Sequence, residues 1–287
     1  MFYYETMLKK RVIALFFLAV AVLGPSPFRT ARAEPVSMVP HKALYDIRMT
    51  TRHSDAPVLN IKGQMFYEWT ASCEAWTTNN KFTLVYEYAD GPASYVASEF
   101  STYETFDGTH FDFRSRRKQN GEIVEEIRGT YEDDETTPDA GTATFKIPAG
   151  ISFALGPDTL FPMAHSKALI ARARAGDRFF NATVFDGSDT DGPAEISAFI
   201  GPRETVSLPS EAAATGTIDE TLLDSPAWPV RMAFFPMDKG KTEPDYEMTA
   251  TLHENGVISD MLIEYKDFSI TQKLVALETQ KTSGCEK

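Results

Sequence analysis

Asp-Gly and Asn-Gly dipeptides punctuate this chain, among them Asp90-Gly91, Asp107-Gly108, Asn120-Gly121, Asp186-Gly187 and Asn255-Gly256. Such pairs supply the positive φ angles that tight hairpins need. Each sits between runs rich in β-branched and aromatic residues, read as strands. The runs are His41–Arg52, Phe82–Tyr88, Tyr95–Phe106, Phe111–Lys118, Ile123–Tyr131, Thr142–Ile147 and Arg178–Phe185, followed by Ala194–Ile200, Trp228–Phe235, Tyr246–His253, Val257–Tyr265 and Phe268–Leu277. Short strands at this spacing predict a mainly β chain of antiparallel architecture, with no βαβ rhythm.

Gly63–Trp76 alternates as a half-buried strand does. Met65, Tyr67, Trp69, Ala71 and Cys73 fall on one face, and Phe66, Glu68, Thr70, Ser72 and Glu74 on the other. The aromatic face is expected either to fill a core or, where a curved sheet stays open, to line an apolar groove. In the Asn120-Gly121 hairpin, a two-residue turn places Arg116 opposite Glu125 and Arg117 diagonal to Glu122 and Glu126. The basic group Arg114, Arg116, Arg117 and Lys118 therefore reads as a solvated charge ladder in preference to an anion site. Pro202–Ser225 is poor in strand formers and reads as long loops.

One segment departs from the β pattern. Asp158–Gly176 carries helix punctuation at both ends, with Asp158 or Thr159 to cap, Pro162 in the first turn and Gly176 at the stop. Leu160, Met163, Leu169, Ile170 and Ala173 form its apolar flank, and Arg172 and Arg174 suit the negative end of the dipole. It is expected to be the one substantial α-helix, plugging or covering one side of a curved sheet.

Residues 1–33 read as a signal peptide, apart from the fold. Lys9, Lys10 and Arg11 precede the apolar run Val12–Leu23, Gly24-Pro25 breaks it, and Ala31-Arg32-Ala33 offers a cleavage site. The run is shorter than the roughly 20 residues a membrane-spanning helix needs. The mature chain, 34–287, is expected to be a single domain in an oxidising compartment, the periplasm, with no membrane span. Losing the leader removes five basic residues and one acidic residue, taking the counts from 28 and 41 to 23 and 40, a net charge of −17. A surface so acidic repels nucleic acid, which is excluded as a default partner.

Cys73 and Cys285 are the only cysteines. In an exported chain two cysteines favour one intramolecular disulfide. No CxxC spacing or His/Cys cluster supports a redox or metal pair, and an intermolecular bond stays open. The histidines, His41, His53, His110, His165 and His253, lack metal-ligand spacing. There is no G-x-S-x-G elbow. Asp186–Gly192 fails the calcium-loop frame, because Gly187 would take the first ligand position and Ala198 the twelfth. No catalytic residue, metal or cofactor is expected.

Several segments together carry a resemblance. They are His41–Asp46, the strand with Met65, Tyr67, Glu68, Trp69, Cys73 and Glu74, and the run from Leu160-Phe161-Pro162 and His165 through Asn181-Ala182-Thr183 to Phe185-Asp186-Gly187, together with Cys285. In that order the chain resembles the EipB-like family of periplasmic cell-envelope integrity proteins of alphaproteobacteria. The resemblance implies a β-spiral, or broken barrel, with a helix packed on it, and a disulfide carried over onto Cys73 and Cys285. It also implies a non-enzymatic role in envelope integrity and envelope stress, exerted through a periplasmic protein partner such as a tetratricopeptide-repeat protein. Two other functions compete. One is a carrier or sensor of lipid or lipopeptide in an apolar groove of the open barrel. The other is a hydrolase using scattered carboxylates and His165.

Overall fold

The computed structural model describes residues 36–134, 140–206, 218–237 and 242–281. Eight strands come first: β1 (His41–Arg52), β2 (Val58–Ala71), β3 (Ala75–Tyr88), β4 (Ser94–Thr105), β5 (His110–Gln119), β6 (Glu122–Asp133), β7 (Gly141–Ile147) and β8 (Ser152–Leu155). The short β9 (Thr159–Leu160) leads into helix α1 (Pro162–Ala175). Then follow β10 (Phe179–Val184), β11 (Ala194–Ile200), β12 (Ala227–Pro236), β13 (Tyr246–His253), β14 (Ile258–Tyr265) and β15 (Phe268–Thr279).

All fifteen strands belong to one sheet, running β8-β7-β6-β5-β4-β3-β2-β1-β15-β14-β13-β12-β11-β10-β9. The outermost strands, β8 and β9, are neighbours in the chain, separated only by Gly156, Pro157 and Asp158. The sheet is therefore a nearly closed, barrel-like wall. Its pairings are antiparallel except β9 with β10, where Thr159 and Leu160 run parallel to Thr183 and Val184. The β9–α1–β10 crossover is one βαβ unit, against the expectation of none. A two-residue strand is too short for periodicity to reveal.

Two local expectations are corrected. Gly63–Trp76 is not one strand: it breaks at Ser72–Glu74, where Ser72 Oγ accepts from the Ala75 and Glu74 amides at 3.1 and 3.3 Å, and Trp76 belongs to β3. Cys73 consequently lies in a turn and not on a strand face. The Asn120-Gly121 turn has φ of 52° and 90°, as a tight hairpin needs. Its ladder nevertheless shifts between Arg117 and Lys118, leaving Val124 as an extra residue. Arg116 then faces Glu126 and Arg117 faces Glu125, one place away from the register of a regular hairpin. In Pro202–Ser225 the described residues include a 3-10 turn, Glu220–Leu222, and the rest lacks regular structure apart from bridge pairings at Glu204 and Ile218.

Alternation sorts the wall into two faces. Along β5, Phe111, Phe113 and Ser115 are buried, while Asp112 and Arg114 are exposed. The inner aromatics form a core and not an open groove. Phe111, Phe113, Ile127, Tyr131, Phe145, Phe161 and Phe185 pack as one cluster, with Phe111 stacked on Phe161 at 4.5 Å. A second cluster joins Leu169, Ile170 and Ala173 of α1 to β10–β13, and a third lines β1, β2, β14 and β15. Burying each large side chain contributes about 1.5–3 kcal/mol.

Gly129 is the small residue that the aromatic cluster requires. It faces Phe113 on one side and Phe145 on the other, and a Cβ there would lie 2.2 Å from Phe113 Cζ and 2.6 Å from the Thr144 carbonyl oxygen. Gly129→Ala is expected to destabilise the fold by about 1–3 kcal/mol through overpacking. Urea unfolding checks this: the midpoint should fall with its slope unchanged, and an unmoved midpoint would contradict the packing described here.

Candidate functional site

A helix whose first turn packs against a sheet must find acceptors for the N–H groups buried at that contact. Helix α1 does not do so with its neighbours in sequence. Its N-cap position is Phe161, which offers no side-chain acceptor, and Pro162 occupies the first turn. The expected caps Asp158 and Thr159 lie before the helix, and Thr159 is in β9. Glu104 of β4 takes their place: its two carboxylate oxygens accept from Met163 N at 2.8 Å and Ala164 N at 2.7 Å. The other end of the helix closes as expected. Gly176 adopts φ 85°, and the amides of Gly176 and Asp177 donate to the carbonyls of Ala173 and Arg172.

Glu104 is only 1% exposed, and burial raises its pKa to about 7, although the two backbone hydrogen bonds pull the other way. Around it, Trp69 of β2 and Trp76 of β3 pack on Met163. Trp69 Nε1 donates to His41 Nδ1 at 3.0 Å, and the Lys167 ammonium sits 5.6 Å from the Trp76 ring centre. Burial lowers the pKa of His41 to about 4, so its imidazole is neutral. A cavity of about 200 Å³ opens beside this junction, lined by Phe106, Tyr131, Gly156, Phe161 and Ala164 among others.

The remaining sequence candidates are scattered. His165 is buried in α1, stacks on Phe180 at 5.6 Å, and has its pKa lowered to about 4 by burial. Its Nε2 has no hydrogen-bond partner among the described residues, so no carboxylate orients it as a base. His253 is wholly buried, with Nε2 3.0 Å from Ser259 Oγ. His110 sits between Asp112 and Glu132 at 3.1 and 3.0 Å. Among the described residues no cluster of His, Cys, Asp or Glu could hold a metal ion. Asp186–Gly192 lies in the β10–β11 loop, where Gly187 packs on Phe113 and Gly192 on Phe153.

Cys285 lies outside the described residues. Cys73 is in the β2–β3 turn, and the described end of the chain runs toward it: β15 pairs with β1, Gln280 N donates to Pro40 O at 2.8 Å, and Gln280 Nε2 donates to Glu68 of β2 at 2.6 Å. Glu104, the residue that organises the junction, was missed by sequence reasoning. The one available signal was a carboxylate on the inward face of a strand between Thr102 and Phe106, where burial without a partner is costly.

Chemically the junction fixes one element against another. Both Glu104 oxygens are committed to backbone donors, so neither is presented to a substrate. Fold and junction together define a barrel-like β protein with a helix packed on its wall by an apolar face and tethered there by its first turn. The EipB-like family model matches residues 32–281. The chain belongs to the EipB-like family. It is 30% identical over 292 aligned residues to the "Cell envelope integrity protein EipB" of Brucella abortus (strain 2308), covering 94% of this chain and 98% of that protein. It also matches the crystal structure of a "Beta-barrel-like Protein of Domain of Unknown Function DUF1849" from Brucella abortus, with TM-score 0.77 and 29% identity over 86% of this chain and all of that one.

The buried carboxyl gives a pH signature. Between its ordinary pKa of 4.5 and its native value of about 7, the unfolded chain has released the Glu104 proton while the native chain keeps it. Stability contributed by this group therefore falls as pH rises through that window. His41 and His165 act in the opposite sense, because the unfolded chain binds protons below 6.5 and the native rings resist them down to about 4. Thermal unfolding of the chain and of Glu104→Gln across this range separates the two. The difference in Tm between them should shift against the parent chain as pH rises from 4.5 to 7, and a pH-independent difference would rule out the assignment.

Proposed function

We propose that this chain is a periplasmic, non-enzymatic protein that supports cell-envelope integrity by binding a protein partner. The observation that carries this is the full-length match to a relative named for envelope integrity. Three features of the molecule support it. Residues 1–33 have the form of a cleavable leader. The inward-facing acid is used up in holding a helix, and His165 Nε2 has no hydrogen-bond partner among the described residues to orient its ring as a base. Exposed apolar side chains, with Phe179 at 73% and Tyr95 at 62%, offer anchors of the kind protein interfaces use. A tetratricopeptide-repeat protein remains the expected class of partner.

The lipid or lipopeptide carrier is the second reading, and the interior packing weighs against it. An acyl chain would need the inner face of the wall, where α1 and the aromatic cluster already pack. A Cys73–Cys285 disulfide is part of the proposal. It would tie the chain's end, which already hydrogen-bonds to β2 through Gln280, to the turn at the end of that strand. A closure of this length contributes about 2–5 kcal/mol.

Deletion of the gene in its host should sensitise cells to detergents and cell-wall antibiotics, with rescue by the exported chain and none by a leaderless one. Unchanged resistance would overturn the role. Non-reducing mass spectrometry of the exported protein should give a chain starting at Glu34 with no alkylatable thiol. Two free thiols would remove the disulfide.

A further inference from the structure

The outer face of the β3–β7 wall is charged against the trend of the molecule. Asn79 (β3), Ser101 (β4), Asp112 and Arg114 (β5), Arg128 (β6) and Lys146 (β7) line a shallow concavity of about 380 Å³. The register sets these groups in a row, with Asn79 opposite Ser101, Ser101 opposite Arg114, and Arg114 opposite Arg128. Like charges directly opposed across a strand pair are destabilising. A solvated ladder would give each arginine its own carboxylate, as Arg117 has Glu125 at 3.4 Å and Arg116 has Glu126 at 2.9 Å. Arg114 and Arg128 have no such partner. They share the Glu126 oxygen that already serves Arg116, at 3.9 and 3.8 Å. Lys146 makes no ion pair among the described residues. Asp112, the acid within the concavity, is engaged by His110 at 3.1 Å.

This row of cations stands on a chain whose mature part carries 40 acidic and 23 basic residues. Three basic residues and two neutral donors line one concavity, and the only carboxylate that pairs with the two arginines within 4 Å among the described residues, Glu126, is shared with Arg116. A tetrahedral dianion with several acceptor oxygens matches them, and paired guanidinium groups recognise phosphate well. We propose that Arg114, Arg128 and Lys146, with Asn79 and Ser101 beside them, bind a phosphate dianion, either free phosphate or the phosphomonoester headgroup of an anionic lipid. The opposed arginines are a stability cost accepted for binding, of the kind found at functional sites.

The test uses the whole mature chain at constant low ionic strength, with sodium phosphate compared against sodium chloride. Phosphate should raise Tm above the chloride control, since a ligand of the native state stabilises it. Arg114→Gln, Arg128→Gln and Lys146→Gln should each weaken phosphate binding about tenfold in titration calorimetry. In chloride alone, Arg128→Gln should keep or raise Tm, because the repulsion is relieved. Arg117→Gln, whose partner lies outside the concavity, should bind as the parent does. Should an arginine variant fail to fold, Lys146→Gln carries the test, since its side chain has no ion pair among the described residues to lose. Co-sedimentation with phosphatidylcholine vesicles, with and without phosphatidic acid, distinguishes the sources. Pelleting only with phosphatidic acid assigns a lipid headgroup, and a calorimetric response without pelleting assigns free phosphate. Equal Tm in the two salts together with no pelleting overturns the site. So does a loss in Arg117→Gln as large as in Arg128→Gln.

Discussion

The contact on which the architecture depends is the pair of hydrogen bonds from Met163 and Ala164 to Glu104. A wall of fifteen strands that nearly closes leaves an interior to be filled, and α1 supplies part of that filling. The first turn of a helix has N–H donors without intrahelical acceptors, and that of Met163 is buried where the helix meets the wall. A carboxylate aimed at them also meets the positive end of the helix dipole. Desolvation still dominates, which is why the group keeps its proton toward neutral pH. The same contact ties β4, on the first half of the wall, to the helix that leads into the second half. Met163 packed with Trp69 and Trp76 reinforces that tie with apolar contact.

The seam of the wall shows how an open sheet avoids pairing with a second molecule. β8 and β9 end the sheet as strands of four and two residues, short edges with little backbone to offer. The β10–β11 loop lies over this region: Phe185 is fully buried among Phe113, Phe145 and Phe153, and Gly187 and Gly192 approach Phe113 and Phe153 so closely that a side chain would collide. Helix, loop and short edges together replace the hydrogen bonds that would close a complete barrel.

Inner and outer faces of the wall serve different ends. Inside, Phe111 and Phe113 alternate with Asp112 and Arg114, so the strand that builds the aromatic core also presents the cationic row. The core depends on volume, as the crowding at Gly129 shows. The outer row depends on register, since a shift of one residue along β6 would part Arg128 from Arg114. The bulge at Val124 is what sets that register.

The strands were legible because period-two alternation and the Asp-Gly and Asn-Gly turns are local, and the resemblance to the family added closure into a spiral. Pro162 and Gly176 likewise announced the ends of α1, since each acts through its own backbone conformation. Five features were not legible: the Glu104 cap, the short β8 and β9, the break at Ser72–Glu74, and the shift that opposes Arg114 to Arg128. Local stereochemistry leaves its mark within a few neighbouring residues. Glu104 meets a helix 59 residues away, and the arginines face each other through a hairpin whose register depends on one bulged residue. The sequence by itself determined most of the strands, the helix and the acidic character of the chain. Only the tertiary structure decided which distant carboxylate holds the helix and which cations stand together, because those pairings follow from strand order and register across the whole sheet.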